Sequence, residues 1–140
     1  MKRVRGSWIL VLVLLALSLV ACEGLSQSGV RSSSHSGASG GGLSVEINKV
    51  NGSALQELEV GSGYPGVVLD ADVTLTVGKG SFQIELLGED DQVTLTLAAR
   101  DGETVSGRGQ MKVDSFGEAN YRVTAVEAED VAYTIDYTYQ

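Results

Sequence analysis

The chain has 140 residues, with one cysteine, one histidine, 18 glycines and a formal charge of −8. The single cysteine excludes an intrachain disulfide framework, and the acidic balance argues against a nucleic-acid partner, since binding nucleic acid requires basic side chains that displace counterions. The length allows one small domain.

A basic start precedes a short apolar run. Three basic side chains within the first five residues are followed by residues 8–20, a run of 13 residues in which Ser18 is the only polar one. A membrane-spanning helix needs about 20 apolar residues, so this run is short for a permanent span. The pattern predicts a secretory signal over residues 1–21. An uncleaved N-terminal anchor is the alternative.

The next motif contains the chain's only cysteine. Leu19-Val20-Ala21-Cys22 resembles the lipobox of bacterial lipoproteins. The resemblance implies that Cys22 receives diacylglycerol on its sulfur, that cleavage occurs before it, and that the new amine is often acylated. Two or three acyl chains give the stable membrane attachment that one chain does not. Because Glu23, and not aspartate, follows the cysteine, the resemblance favours the outer membrane or outer cell surface.

Residues 23–42 have low sequence complexity, with 7 serines and 6 glycines among 20 residues. This composition buries too little apolar surface to offset the entropy of ordering the chain. Together with Cys22 it predicts a flexible linker over residues 22–42, with a reach of roughly 25 Å. His35 falls inside this segment, so neither a catalytic nor a metal-binding role is expected for it.

Residues 43–140 alternate between apolar and polar side chains almost throughout, as half-buried strands do. The apolar positions are Leu43, Val45 and Ile47; Val73, Leu75 and Val77; Phe82, Ile84 and Leu86; Val93, Leu95 and Leu97; Val105, Met111 and Val113; Tyr121, Val123 and Ala125; and Val131, Tyr133, Ile135, Tyr137 and Tyr139. Turn signals separate the runs: Asn51-Gly52, Gly78-Lys79-Gly80, Gly88-Glu89-Asp90-Asp91, Asp101-Gly102 and Ser115-Phe116-Gly117.

The alternation predicts an all-β fold for residues 43–140. We expect a small antiparallel β-sandwich, jelly-roll or immunoglobulin-like, of about seven to eight strands. A closed β-barrel is the alternative. The strand succession from Val73 onward, with the closing AYTIDYTY of residues 132–139, is similar in pattern to pre-peptidase C-terminal modules, small sandwich domains appended to secreted bacterial peptidases. That resemblance implies a non-catalytic accessory domain.

Three local features carry narrower predictions. Asp101-Gly102 predicts a type I′ hairpin turn, which requires positive φ at both central residues. Residues 54–60, ALQELEV, fit either a short helix or a strand. Gly107 and Gly109 share the apolar parity of their strand, where we expect a bulge or the close approach of another backbone.

The residue types of the domain argue against catalysis. Residues 43–140 contain no histidine and no cysteine, which removes most nucleophile–base pairs and the usual transition-metal sites. A carboxylate pair could hydrolyse glycosides, but no long loop is present to build a cleft. We therefore predict a protein that is not an enzyme and has no cofactor.

Acidic segments raise a calcium hypothesis. Without the signal, 7 basic and 18 acidic side chains remain, a formal charge of −11, which we expect chiefly to keep the domain soluble. Calcium takes six to eight oxygen ligands, and no D-x-D-x-D-G loop supplies them. The candidate ligands lie in three acidic segments: Asp70 and Asp72; Glu89, Asp90 and Asp91; and Glu127, Glu129 and Asp130.

Aromatic side chains raise a carbohydrate hypothesis. Tyr133, Tyr137 and Tyr139 share one face of the last strand with Val131 and Ile135, so we expect a core position with hydroxyls reaching the rim; an exposed stripe for sugar rings is the alternative. In a glycine-rich loop, GSGYPG, the candidate exposed aromatic residue for ligand binding is Tyr64.

These features predict a membrane-anchored bacterial lipoprotein that presents a non-catalytic β-sandwich interaction module at the cell envelope. Its expected partners are the membrane, through the lipid, and an envelope or surface protein. The alternative function is a carbohydrate- or calcium-dependent ligand-binding or adhesion module.

Overall fold

A computed structural model describes residues 24–61 and 65–140 of the chain. The described residues form six antiparallel strands: β1 (Ser26–Ser36), β2 (Gly40–Glu59), β3 (Val68–Leu87), β4 (Val93–Arg100), β5 (Glu103–Lys112) and β6 (Glu118–Tyr139). A 3-10 turn, Glu89–Asp91, joins β3 to β4. Among these residues, no helix has the length and hydrophobicity that a membrane span requires.

Three long strands bend near their middles. Register shifts fall at residues 50–52 of β2 and 79–81 of β3. In β6, Glu127 and Asp130 take positive φ values of 46° and 53°. Because a bulge bends a strand and increases its twist, the sheet folds over along this line into a β-sandwich.

The two halves of the folded sheet are the two layers of the sandwich. The five-stranded layer contains, in order, β1, residues 40–50 of β2, residues 131–139 of β6, residues 68–77 of β3, and β5. The four-stranded layer contains residues 52–59 of β2, residues 118–125 of β6, residues 81–87 of β3, and β4. Every segment of the four-stranded layer has a counterpart in the other layer, whereas β1 has none in the part of the chain that the structure describes.

The core lies between the layers and uses the apolar side of the alternating pattern. All five inward residues in the first half of β3 are 0% exposed: Leu69, Ala71, Val73, Leu75 and Val77. Tyr133 and Tyr137 are also buried, which confirms their expected core position, but the Tyr133 hydroxyl pairs with Tyr121 inside the core and does not reach the rim as expected. Phe82 of the four-stranded layer stacks on Tyr133 of the five-stranded layer, with ring centroids 5.8 Å apart. The two layers therefore face each other.

The edge of the sandwich between β4 and β5 is closed. The Thr94 hydroxyl accepts a hydrogen bond from the Gln110 N–H at 3.1 Å and donates one to the Gln110 carbonyl. Leu95 packs over the two glycines of β5, and a Cβ at Gly109 would lie 2.6 Å from the Cβ of Leu95. The expected bulge or backbone contact at Gly107 and Gly109 is therefore wrong: β5 stays in register with β3, and a side chain makes the close approach.

The antiparallel sandwich is confirmed, but its strands are longer and fewer than predicted. Asn51-Gly52 and Gly78-Lys79-Gly80 are bends inside β2 and β3 and not turns between strands. Bends and hairpin turns use the same glycine-rich composition, so the pattern did not separate them. Residues 54–59 are strand. The closed barrel is wrong, because the sheet begins at β1 and ends at β4 and β5 without pairing them.

The predicted type I′ turn is also wrong. Gly102 has a φ of 73°, but Asp101 is not among the described residues with positive φ. The Gly102 N–H donates to the carbonyls of Val77 and Gly78, at 2.8 and 3.1 Å. Asp101-Gly102 therefore lies against the bend of β3. It connects β4 to β5, which both lie along the same edge of β3.

The predicted flexible linker is corrected over much of its length. β1 pairs with β2 from Ser26 opposite Asn51 to Ser36 opposite Gly41. All 11 residues of β1 are exposed, so backbone hydrogen bonds and not burial hold this strand, and composition did not reveal it. At Gly41 a Cβ would lie 2.5 Å from the Tyr137 hydroxyl, so this glycine makes room for a buried ring.

Candidate binding cleft

The edge of the sandwich opposite β4 and β5 is open. Val30 and Ser32 of β1 lie beside the core residues Ile47 and Val45 in the register, and partners in register point to the same side of a sheet. They nevertheless remain exposed, because no strand of the four-stranded layer lies opposite β1. The space beneath β1, bounded on its other side by residues 53–61, is here called the open cleft.

The open cleft has two parts, which lie one after the other along β1. The first has a volume of about 250 Å³ and a mixed lining. Its apolar residues include Val30, Leu43, Val45, Ile47, Val123 and Tyr133, and its polar residues are Gln27, Ser32, Gln56 and Glu57. The second, of about 210 Å³, lies between Ser34, His35 and Ser36 on one side and Glu59, Val60 and Gly61 on the other. The first part is here called the apolar end, because the aliphatic residues of the lining other than Val60 lie there, and the second is called the polar end.

Two tyrosines complete the apolar end. The hydroxyls of Tyr121 and Tyr133 lie 2.9 Å apart, and their rings meet edge to face with centroids 6.0 Å apart. Burial raises the pKa of Tyr121; burial, and then the neighbouring Tyr121, raises the pKa of Tyr133. Each hydroxyl is neutral and already has a partner in the core, so neither offers an incoming ligand a free hydrogen-bonding group.

Residues 53–59 of β2 form one wall of the cleft and carry a free strand edge. On one side they pair with residues 118–124 of β6. On the other side no strand pairs with them within residues 24–61 and 65–140. An edge strand presents a row of unpaired N–H and C=O groups, which can template pairing with another chain.

The rim of this wall is acidic. Glu57 and Glu59 are exposed, and Glu59 lies directly opposite Glu118 of β6, an arrangement that destabilises a sheet when both side chains are charged. Desolvation, followed by the negative charges of Glu57, Asp114 and Glu59, raises the pKa of Glu118. The rim therefore carries negative charge without a described cationic partner among these residues.

The sequence-predicted calcium candidates lie outside the open cleft, and three of them, Asp70, Asp72 and Glu89, have other partners. Asp72, on the outer face of the five-stranded layer, binds Arg108 through both oxygens, at 2.8 and 3.3 Å; this hydrogen bonding lowers the pKa of the Asp72 carboxyl. Asp70 accepts a hydrogen bond from the Gln140 side chain at 2.9 Å.

The second acidic segment is the 3-10 turn Glu89–Asp91. Glu89 forms an ion pair with Lys112 at 3.0 Å, and Asp90 and Asp91 take positive φ values of 53° and 56°. No group of three or more His, Cys, Asp or Glu suited to a metal occurs in the described part of the chain. The structure therefore does not assemble the calcium candidates into one site.

Two candidate residues lie outside the described ranges. Cys22, with the whole signal segment, precedes residue 24, and Tyr64 falls in the gap at residues 62–64. Lipidation at Cys22 and ligand binding at Tyr64 stay predictions. The open cleft itself was missed, because its upper wall comes from the serine-rich segment that composition assigns to a linker.

No protein-family model matches the chain, and no curated protein matches it. Solved structures with a similar fold include the CBM22-1 xylan-binding domain of Paenibacillus barcinonensis Xyn10C, at 10% identity and a TM-score of 0.40, covering 84% of this chain and 86% of that one. A chain of the disulfide-linked pili of Bacillus endospore appendages has 13% identity and a TM-score of 0.43, covering 85% and 96%. The carbohydrate-binding module CBM6cm-2 of Cellvibrio mixtus lichenase 5A has 15% identity and a TM-score of 0.35, covering 81% and 88%. Likeness at this level concerns the β-sandwich fold and does not extend to the ligand.

Proposed function

We propose that the mature chain is a lipid-anchored, non-catalytic interaction module, and that the open cleft is its binding surface for a protein of the cell envelope. The observation that carries this proposal is the open cleft itself. Val30 of β1 is 43% exposed, Leu43 is half-buried, and residues 53–59 carry a strand edge with which no segment of the described chain pairs. Apolar surface and free edges of this kind are the features that protein partners cover.

The anchoring part of the proposal rests on the lipobox-like sequence before β1. Because β1 begins at Ser26, only residues 23–25 separate it from Cys22. Four residue steps span at most about 14 Å. A lipidated Cys22 would therefore hold the sandwich close to the membrane surface, much closer than a 20-residue flexible linker would. The expected partner is a protein that is itself at that surface.

The non-catalytic part is supported by the chemistry of the cleft. Its apolar end is lined by aliphatic residues and by the neutral Tyr121–Tyr133 pair. These two rings are 2% and 4% exposed, so they offer no open face on which a sugar ring would stack. A protein segment, whose main chain can pair with the free strand edge, matches this wall better than a polysaccharide does.

Anchoring is tested by growing the native host with radiolabelled palmitate and comparing the wild type with Cys22→Ala. We expect label in the wild type, none in the variant, and loss of the variant from the detergent phase. Absence of label from both proteins, or an alanine variant that partitions like the wild type, contradicts anchoring.

Binding through the cleft is tested with two neighbouring serines of β1. Ser32 points toward the cleft and Ser33 toward the outer face, since their partners are the buried Val45 and the exposed Ser44. We expect Ser32→Trp to fill the cleft, so that the detergent-extracted protein migrates without its partner. Ser33→Trp is the matched control and keeps the complex. A wild type that migrates alone, or two variants that behave alike, contradicts the proposal.

A further inference from the structure

Within residues 24–61 and 65–140, the four-stranded layer has no strand opposite β1. The other four segments of the five-stranded layer each have a counterpart across the core, and the vacant position lies beside residues 53–59 of β2. A strand added there would lie about 4.8 Å from β2 and about 10 Å from the facing layer. These spacings place it directly beneath β1, within the open cleft.

We propose that the open cleft receives an extended segment of the partner protein, which pairs with residues 53–59 of β2 and alternates apolar with basic side chains. This inference deepens the proposed function and rests on it. Seven paired residues correspond to a segment about 23 Å long. Main-chain hydrogen bonds give such an added strand its affinity, and alternate side chains give it specificity.

The alternation follows from the two faces of β2 at this point. Inward side chains of the added strand would lie beside Ala54, Gln56 and Leu58 and reach the apolar floor under Val30. Outward side chains would lie beside Leu55, Glu57 and Glu59, which are exposed. Val30 and Leu55 are 43% and 53% exposed. The added strand would therefore cover exposed apolar surface on both of its faces, at Val30 on the inner face and at Leu55 on the outer face.

Charge selects the outward side chains and disfavours a second copy of this chain as the occupant. Glu57, Glu59 and Glu118 form a like-charged group at the rim, in which the neighbouring carboxylates contribute to the raised pKa of Glu118. Lysine or arginine on the added strand would neutralise this group. Two copies paired through the same edge would instead bring their Glu57 and Glu59 side chains together, on a mature chain with a formal charge of −11.

The test uses the detergent-solubilised, lipidated protein and a seven-residue peptide of alternating lysine and valine, with a glutamate-for-lysine peptide as its control. We expect the lysine peptide to bind and to slow amide hydrogen exchange at residues 53–59, with no slowing at β1. The glutamate peptide should bind at least about tenfold more weakly, since two unfavourable charge contacts replace two favourable ones.

Protein variants locate the charge contribution. Glu57→Gln combined with Glu59→Gln should weaken the lysine peptide about 3- to 30-fold. Glu46→Gln combined with Asp136→Asn removes the same charge from the outer face of the five-stranded layer and should leave binding unchanged. Equal losses in the two double variants would overturn the assignment of basic side chains to this rim.

N-methylated peptides test the strand pairing itself. Methylation of every second backbone nitrogen blocks one edge of an extended peptide. Two peptides, methylated at odd or at even positions, block opposite edges, so one of them should fail to bind and the other should bind. Binding of both forms overturns strand addition, as does slowed exchange only at β1. Slowed exchange at residues 53–59 that depends on protein concentration, without peptide, overturns the partner segment in favour of a second copy.

Failure of this inference is distinguishable from failure of the proposed function. If Ser32→Trp releases the envelope partner but the lysine peptide does not bind, the cleft is an interaction surface and the added basic strand is wrong. If Ser32→Trp leaves the envelope complex intact, the proposed function fails whatever the peptide does.

Discussion

The hydroxyls of Tyr121 and Tyr133 lie 2.9 Å apart in the core, although the two residues belong to opposite layers of the sandwich. Both are in β6, twelve residues apart, on either side of the bend at Glu127 and Asp130. The pair therefore ties together the two halves of one strand. It also forms part of the floor of the open cleft, so one contact both joins the two halves of β6 and borders the cleft.

Removing both of these hydroxyls should cost less stability than the sum of the costs of removing each one alone. Tyr121→Phe or Tyr133→Phe alone leaves a buried hydroxyl without a partner, with an expected cost of about 1–3 kcal/mol. The double variant leaves none, and its cost should fall well below the sum of the two. Urea unfolding of the wild type and the three variants measures this coupling. Additive losses would show that the two hydroxyls stabilise the fold independently.

The same pair predicts loss of stability in alkaline solution. The pKa values of Tyr121 and Tyr133 are raised in the folded state, so folding favours the neutral phenols. Their contribution is fully present below the unfolded-state pKa of about 10 and is lost as the pH rises toward the folded values. The melting temperature should therefore fall above about pH 10, and less steeply in the double phenylalanine variant. An identical slope in both proteins would contradict this assignment.

The bend of the sheet predicts that alanine substitution destabilises the protein by different amounts at two glycines with similar φ values. Gly80 and Gly102 have φ values of 77° and 73°. A Cβ at Gly80 would collide with the Glu127 carbonyl oxygen, whereas a Cβ at Gly102 meets nothing within 4 Å. Gly102→Ala should cost about 1–2 kcal/mol from backbone strain alone, and Gly80→Ala clearly more. Chemical denaturation measures both, and equal costs would argue against close packing at the bend.

Relief of charge repulsion at the cleft rim should stabilise the protein at neutral pH. The pKa of Glu118 is raised, first by desolvation and then by Glu57 and other nearby carboxylates. A raised carboxyl pKa contributes stability below the unfolded value of about 4.3, and this stability is lost as the pH rises through the folded value. Glu118→Gln should therefore raise the melting temperature at pH 7 by about 1–4 °C and have little effect at pH 4.

Glu46→Gln provides the matched control for this substitution. Glu46 lies opposite Arg31 in the register, so removing its charge relieves no repulsion and should not raise the melting temperature. A similar gain from both variants would indicate a general effect of lowering the net charge.

The alternating pattern of residues 43–140 predicted the sandwich because its physical cause, one buried and one solvated face, is written in single residues such as Val73, Thr74 and Leu75. It did not distinguish a bend from a turn, since Gly78-Lys79-Gly80 serves either purpose and the difference depends on which strands pair beyond it. β1 was missed because its 11 exposed residues contribute backbone pairing, which leaves little trace in composition.

The open cleft was not predicted from the sequence, because one of its walls is β1. Its apolar floor was visible as core residues, among them Val45, Ile47 and Tyr133, but its existence depends on β1 having no counterpart across the core. The order of strands in the sheet determines which strand has no counterpart across the core, and no single segment of the sequence encodes that order.

Site-specific photo-crosslinking in living cells tests most directly whether the open cleft binds a partner. A photoreactive amino acid would be placed at Ser32, which points into the cleft, or at Ser33, one residue further along on the outer face. We predict a single crosslinked envelope protein from position 32, attached through an extended stretch of alternating apolar and basic residues, and none from position 33. Crosslinks of equal yield from both positions, or none from position 32, would contradict the account.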